Sequence, residues 1–109
     1  MVVKIDTRQI TDWDSFDNVF TEAFGFPEWY GRNMNAWIDC MSSLDYPDDG
    51  LSEIKCQVGD VVVLQLEHAD TFAARAPAIF QELLDCSASV NLGRVERGHQ
   101  AILALSYHK

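Results

Sequence analysis

The sequence predicts an α/β fold: a three-stranded parallel sheet packed with about four helices. Two observations carry this reading. Three short runs of strand character, VVKI (2–5), VVVLQLE (61–67) and AILALSY (101–107), are spread across the 109 residues. Between them lie segments whose apolar residues recur at helical spacing. The resulting order is strand–helix–helix–strand–helix–helix–strand. Connections that long suit parallel pairing through right-handed crossovers. The length suits one domain, residues 1–109, able to bury roughly 65% of its unfolded surface.

Each element has a local reason. VVKI is β-branched and opens the chain as a first strand. In TDWDSFDNVFTEAFG, Trp13, Phe16, Val19, Phe20, Ala23 and Phe24 mark one helix face. Thr11 is the expected cap, with Asp14 as its capping-box partner, and Gly25 is the expected stop. Asp12 and Asp14 also favour the positive end of the helix dipole, so these acids need no functional explanation.

FPEWYGRN (26–33) reads as a loop, with Pro27 holding Phe26 extended and Gly31 permitting the turn. A second helix follows from about Asn33, its cap, to Ser43. Its core stripe is Met34, Trp37, Ile38 and Met41. Asn35, Asp39 and Ser42 form a second stripe about 115° round the helix, on its flank.

DYPDDGLSEIKCQVGD (45–60) is turn-rich and reads as a long excursion with one minor strand around Glu53–Val58. Val61 to Leu64 is continuously apolar, as in a central strand covered on both faces. A helical region follows from about Ala69 to Val90, broken near Pro77, which fits the first turn of a new helix. Phe72, Ala76, Ile79, Phe80, Leu83 and Leu84 form its buried face. NLGRVERGHQ (91–100), with two glycines, reads as a polar connection.

Composition narrows the function. Seventeen acids against eight bases leave a net charge of −9. Residues 1–60 hold twelve acids and four bases; residues 61–109 hold five and four. Phosphates repel such a surface, so direct nucleic-acid binding is disfavoured. A basic protein partner and plain solubility are the two physical uses of the field. No apolar run reaches the ~18–20 residues of a membrane span. The N-terminus turns polar after five residues, so no secretory signal is expected and a cytoplasmic protein is.

Catalytic signatures are missing. Cys40, Cys56 and Cys86 form an odd set without CxxC spacing, expected as reduced, mostly buried thiols. His68, His99 and His108 share no metal-ligand spacing, and no phosphate-cradling or nucleophile-elbow motif occurs. No metal, no cofactor and no enzyme activity are expected. The stretch PEWYGRNMNAWIDC (27–40) stands out instead. Trp37 falls on the core stripe. Trp29 and Tyr30 could be core or contact surface, since consecutive large aromatics are unusual in loops and aromatic anchors mark interfaces.

At this stretch the chain resembles the barstar-related family of intracellular ribonuclease inhibitors. The resemblance rests on Pro27-Glu28-Trp29-Tyr30-Gly31-Arg32-Asn33, then Asp39-Cys40 at the end of the helix. Weaker similarity extends over most of the chain, with 47–60 and 91–100 looking like insertions. The family fold agrees with the α/β reading. The resemblance implies that loop and helix plug the active-site cleft of a basic, barnase-type ribonuclease or ribonuclease toxin, as an immunity protein or antitoxin does. It implies a monomer in a 1:1 complex. Asp39 would take the place of the substrate phosphate, Trp29 would pack on the enzyme, and Glu82 on a later helix would add an ion pair. The candidate contact residues are Trp29, Tyr30, Asn33, Asn35, Asp39, Ser42 and Glu82. The family's namesake has aspartate where this chain has Asn35 and tyrosine where it has Trp29. Both departures fit a differently specified target. The alternative is a non-inhibitory interaction module that keeps the fold.

Overall fold

The computed structural model describes residues 1–54 and 56–109. Its elements are β1 (Val2–Asp6), α1 (Trp13–Phe24), α2 (Met34–Ser42), β2 (Val62–Glu67), α3 (Ala69–Arg75), α4 (Pro77–Glu96) and β3 (Leu103–Tyr107). Short 3-10 turns occupy Thr7–Gln9 and Pro47–Asp49. The strands form one parallel sheet in the order β1-β2-β3, with β2 in the middle. This is the predicted α/β architecture, with four helices.

The register sorts the side chains. Val3, Leu64 and Leu105 lie across from one another, as do Ile5, Leu66 and Tyr107. This face holds the fully buried Ile5, Val62, Leu64 and Leu66. The other face carries Lys4, Gln65 and Ser106 side by side, and there β2 is only half-buried. The expectation that β2 is covered on both faces therefore fails. Within the continuously apolar Val61–Leu64 only Val62 and Leu64 face the core, while Val63 is half-buried and Val61 is exposed.

An aromatic series fills the space between the sheet and the helices. Phe16 and Phe20 of α1 lie 4.7 Å apart, and Phe20 meets Trp37 of α2 edge-on at 5.6 Å. Such pairs add about 0.5–1.5 kcal/mol each beyond area burial. Trp37 and Met41 are fully buried, whereas Met34 and Ile38 of the same stripe are half-buried. Cys40 shares that buried face.

Local signals explain most boundaries and correct three. The cap of α1 is Asp12, not Thr11. Its carboxylate accepts from the Ser15 amide at 2.8 Å, while Ser15 Oγ accepts from the Asp12 amide at 2.9 Å. This reciprocal pair wins because Ser15 satisfies two amides, those of Thr11 and Asp12. Residues 50–61 contain no strand among the described residues, and Lys55 of the expected Glu53–Val58 strand lies outside them. Here the chain is held by Glu53, whose amide donates to the Phe24 carbonyl at 2.9 Å.

The third correction bears on the site. Residues 91–96 are not a connection but the last turns of α4. Asn91 and Gly93 look like breakers, yet both are accommodated. Asn91 bonds the backbone of Ile102 and Leu103, tying α4 to β3. Arg94 extends the buried stripe of Leu83, Cys86 and Val90 because its charge is met by Asp45. Termination comes at Gly98, in left-handed geometry at φ 85.

Candidate functional site

The loop between α1 and α2 is fixed from within. Gly25 ends α1 in left-handed geometry, φ 65, and a Cβ there would stand 2.6 Å from the Glu53 side chain. Phe26 then packs between Phe24 and Tyr30, at 5.9 and 4.7 Å. Tyr30 closes a turn by donating its amide to the Pro27 carbonyl at 2.9 Å. Its ring is 7% exposed, and its hydroxyl donates to the buried carboxylate of Asp17 at 2.7 Å. Burial, reinforced by that carboxylate, pushes the phenol far above its usual range. Tyr30 is thus an anchor of the loop that also borders the groove described below, with only a small part of it open to a partner.

Gly31 was expected to make the turn, but the left-handed residue is Arg32, at φ 52. Its guanidinium holds it there, donating to the Asp14 carboxylate at 2.7 Å and to Asn18 Oδ1 at 3.0 Å. Asn33 then caps α2, its Oδ1 accepting from the Ala36 amide at 2.8 Å. That side chain is committed to the helix end, with Nδ2 on the Gly31 carbonyl at 3.2 Å. The expected cap is observed.

With Tyr30 turned inward, Trp29 is turned outward, 70% exposed. It shares a groove of about 440 Å³ with Asp39 and Ser42 of α2 and with Ser89, Gly93 and Arg97 at the end of α4. Asp39 is exposed; Ser42 is half-buried and donates to the Ile38 carbonyl at 2.6 Å. Asn35 is exposed one turn before Asp39 and lies outside the groove lining. Asn33 lines a separate hollow with Trp13 and Arg32. Glu82 sits two turns before Ser89 on α4, half-buried, accepting from the Cys86 thiol at 3.3 Å. The candidates therefore divide: Trp29, Asp39 and Ser42 converge on the groove, which the buried Tyr30 also lines, Asn35 and Glu82 lie outside its lining, and Asn33 supports the helix.

Cys40 also borders the groove, but burial, with Asp39 nearby, pushes its thiol up to about 11. A thiol held neutral is a poor nucleophile. All three cysteines are free and buried. Among the described residues no cluster of His, Cys, Asp and Glu is arranged to hold a metal ion. No helix among them is long and apolar enough to cross a membrane.

The family model described as Barstar (barnase inhibitor) matches residues 1–106. The chain belongs to the barstar family. No curated protein matches it in a sequence search. The bounds of the match enclose both 47–60 and 91–100. Barstar-family membership makes this a chain of an inhibitor family, one named for binding a ribonuclease.

Sequence reasoning missed Gly93 and Arg97 because it ended the helix at Val90, and Ser89 because a lone serine off the apolar stripe carries no local signal. The signal was present in the spacing of Leu83, Val90 and Arg94, which continues one stripe. A buried arginine does not look like a stripe residue until its carboxylate partner is known.

Proposed function

We propose that this barstar-family chain inhibits a basic ribonuclease by covering its active-site cleft with the 27–33 loop and α2. The observation that supports it is the exposure of Trp29 and Asp39 along one groove, on a loop and helix that are fixed from behind. An indole supplies a large rigid contact surface, and a carboxylate beside it can answer the cationic groups that hold an RNA phosphate. A net charge of −9 favours encounter with a basic enzyme. Asn35 contributes hydrogen bonds in place of a charge, and Glu82 can reach the rim of the same contact.

The test is titration of RNA cleavage by barnase-type ribonucleases with the purified chain. Asp39→Ala and Trp29→Ala should each weaken inhibition by about 2 kcal/mol or more, the level that defines an interface hot spot. Their unfolding midpoints should match the parent's, because both side chains are exposed. Unchanged inhibition in both variants would remove the assignment. A chain that binds only non-nuclease proteins would be an interaction module on the same fold.

A further inference from the structure

We infer that Arg97 is a specificity determinant of this contact face, selecting a partner that carries a carboxylate side chain next to the cationic site that receives Asp39. This rests on the reading of the groove as the inhibitory surface. The other arginines are engaged within the fold. Arg8 pairs with Asp6, Arg32 with Asp14, and Arg94 with Asp45, while Arg75 donates to the carbonyls of Ile10 and Thr7. Among the described residues the Arg97 guanidinium has no hydrogen bond and no ion pair, Asp39 included.

Its position is not that of a side chain loose in water. A Cβ at position 93 would stand 3.3 Å from Arg97 Nη1, so the guanidinium lies back along α4 over Gly93. Glycine at 93 leaves the space for it. The result is an exposed positive group from α4 in a groove that Asp39 of α2 and Trp29 also line, bordering a second hollow lined by Asp45 and Asp49.

A groove lined by charges of both signs discriminates. A uniformly basic surface would meet Asp39 favourably and Arg97 unfavourably. A surface with a carboxylate beside its cationic pocket would satisfy both, and in a bidentate geometry that guanidinium makes available. A nucleic-acid phosphate would answer Arg97 but is repelled by Asp39 and by the net charge of −9. A protein surface of mixed charge is the occupant that fits.

The experiment is selection from a displayed library of catalytically silenced barnase, randomised around the active-site cleft. The baits are the parent chain and its Arg97→Glu, Arg97→Gln, Asp39→Ala and Arg8→Glu variants, each checked for folding by circular dichroism. Binders to the parent should be enriched in Asp or Glu at a cleft-rim position, and binders to Arg97→Glu in Lys or Arg at that same position. A clone selected on the parent should lose on the order of tenfold in affinity for Arg97→Gln, as expected for a coupled pair. It should bind Arg8→Glu, altered outside the groove, like the parent. The same residues recovered on the parent and Arg97→Glu baits, with Asp39→Ala still impaired, would overturn the inference and leave the inhibitory reading standing. No binder to the parent from any clone would remove both. RNA retained by the parent but lost by Arg97→Gln would assign Arg97 to phosphate and overturn the inference.

Discussion

Arg94 and Asp45 meet as a two-point pair, Nη2 to Oδ2 at 2.7 Å and Nη1 to Oδ1 at 3.0 Å, with both side chains almost wholly buried. The same guanidinium donates to the Ser42 carbonyl at 2.7 Å and to the Gln100 carbonyl at 2.8 Å. One side chain thereby fastens the end of α2, the segment after it and the approach to β3. Asp45→Ala leaves that guanidinium buried without its counter-charge. The expected loss is about 3–5 kcal/mol, the range for breaking a buried pair from one side. Urea unfolding measures it, and a loss under about 1 kcal/mol would show that the corner is held by other contacts.

The same pair sets a response to acid. The Arg94 guanidinium holds the Asp45 carboxyl below its usual range. A carboxyl depressed in the folded state binds its proton more readily when unfolded. Its stabilisation is therefore full above the unfolded value, near 3.9, and is lost as pH falls through the folded value. Unfolding midpoints of the parent should fall below about pH 4. Asp45→Asn should lower stability at neutral pH and flatten that decline. Parallel pH profiles for the two proteins would contradict the assignment.

Tyr30→Phe removes the hydroxyl that donates to Asp17 and keeps the ring that packs on Phe26. The buried carboxylate of Asp17 then loses that donor. A loss of about 1.5–3 kcal/mol is expected, typical of a hydrogen bond to a charged group. Thermal unfolding reads it directly. If Tyr30 instead faced a partner, the change would appear in binding with stability untouched.

Association with a basic ribonuclease should slow as salt rises, because a charge of −9 steers encounter only within a screening length of about 8 Å at physiological ionic strength. Stopped-flow association between low and high salt tests this. Dissociation should respond far more to Asp39→Ala than association does. A rate independent of salt would mean that the acidic surface serves solubility alone.

The parallel sheet, the cap at Asn33 and the core position of Trp37 were legible because each rests on local spacing or on a single preferred residue type. The cap of α1 was misplaced by one residue, since Thr11 and Asp12 are both good caps and Ser15 decides between them. Consecutive residues Trp29 and Tyr30 could not be told apart by pattern. Their division depends on Asp17, thirteen positions before Tyr30, which gives the phenol a buried acceptor. The end of α4 was hidden for a similar reason. Arg94 reads as polar surface until a residue 49 positions away neutralises it. What sequence spacing cannot reveal is a polar group whose partner comes from another element.

Helix α2 is held at both ends: Asn33 caps its start, Arg32 moors the preceding loop to α1, and Arg94 grips the Ser42 carbonyl at its finish. On the proposed inhibitory reading, a partner would thus meet a loop and helix already fixed within the fold. The conformational entropy of ordering the loop is lost during folding and need not be lost again at docking. Loosening either end would weaken recognition through disorder alone, with every contacting side chain still in place.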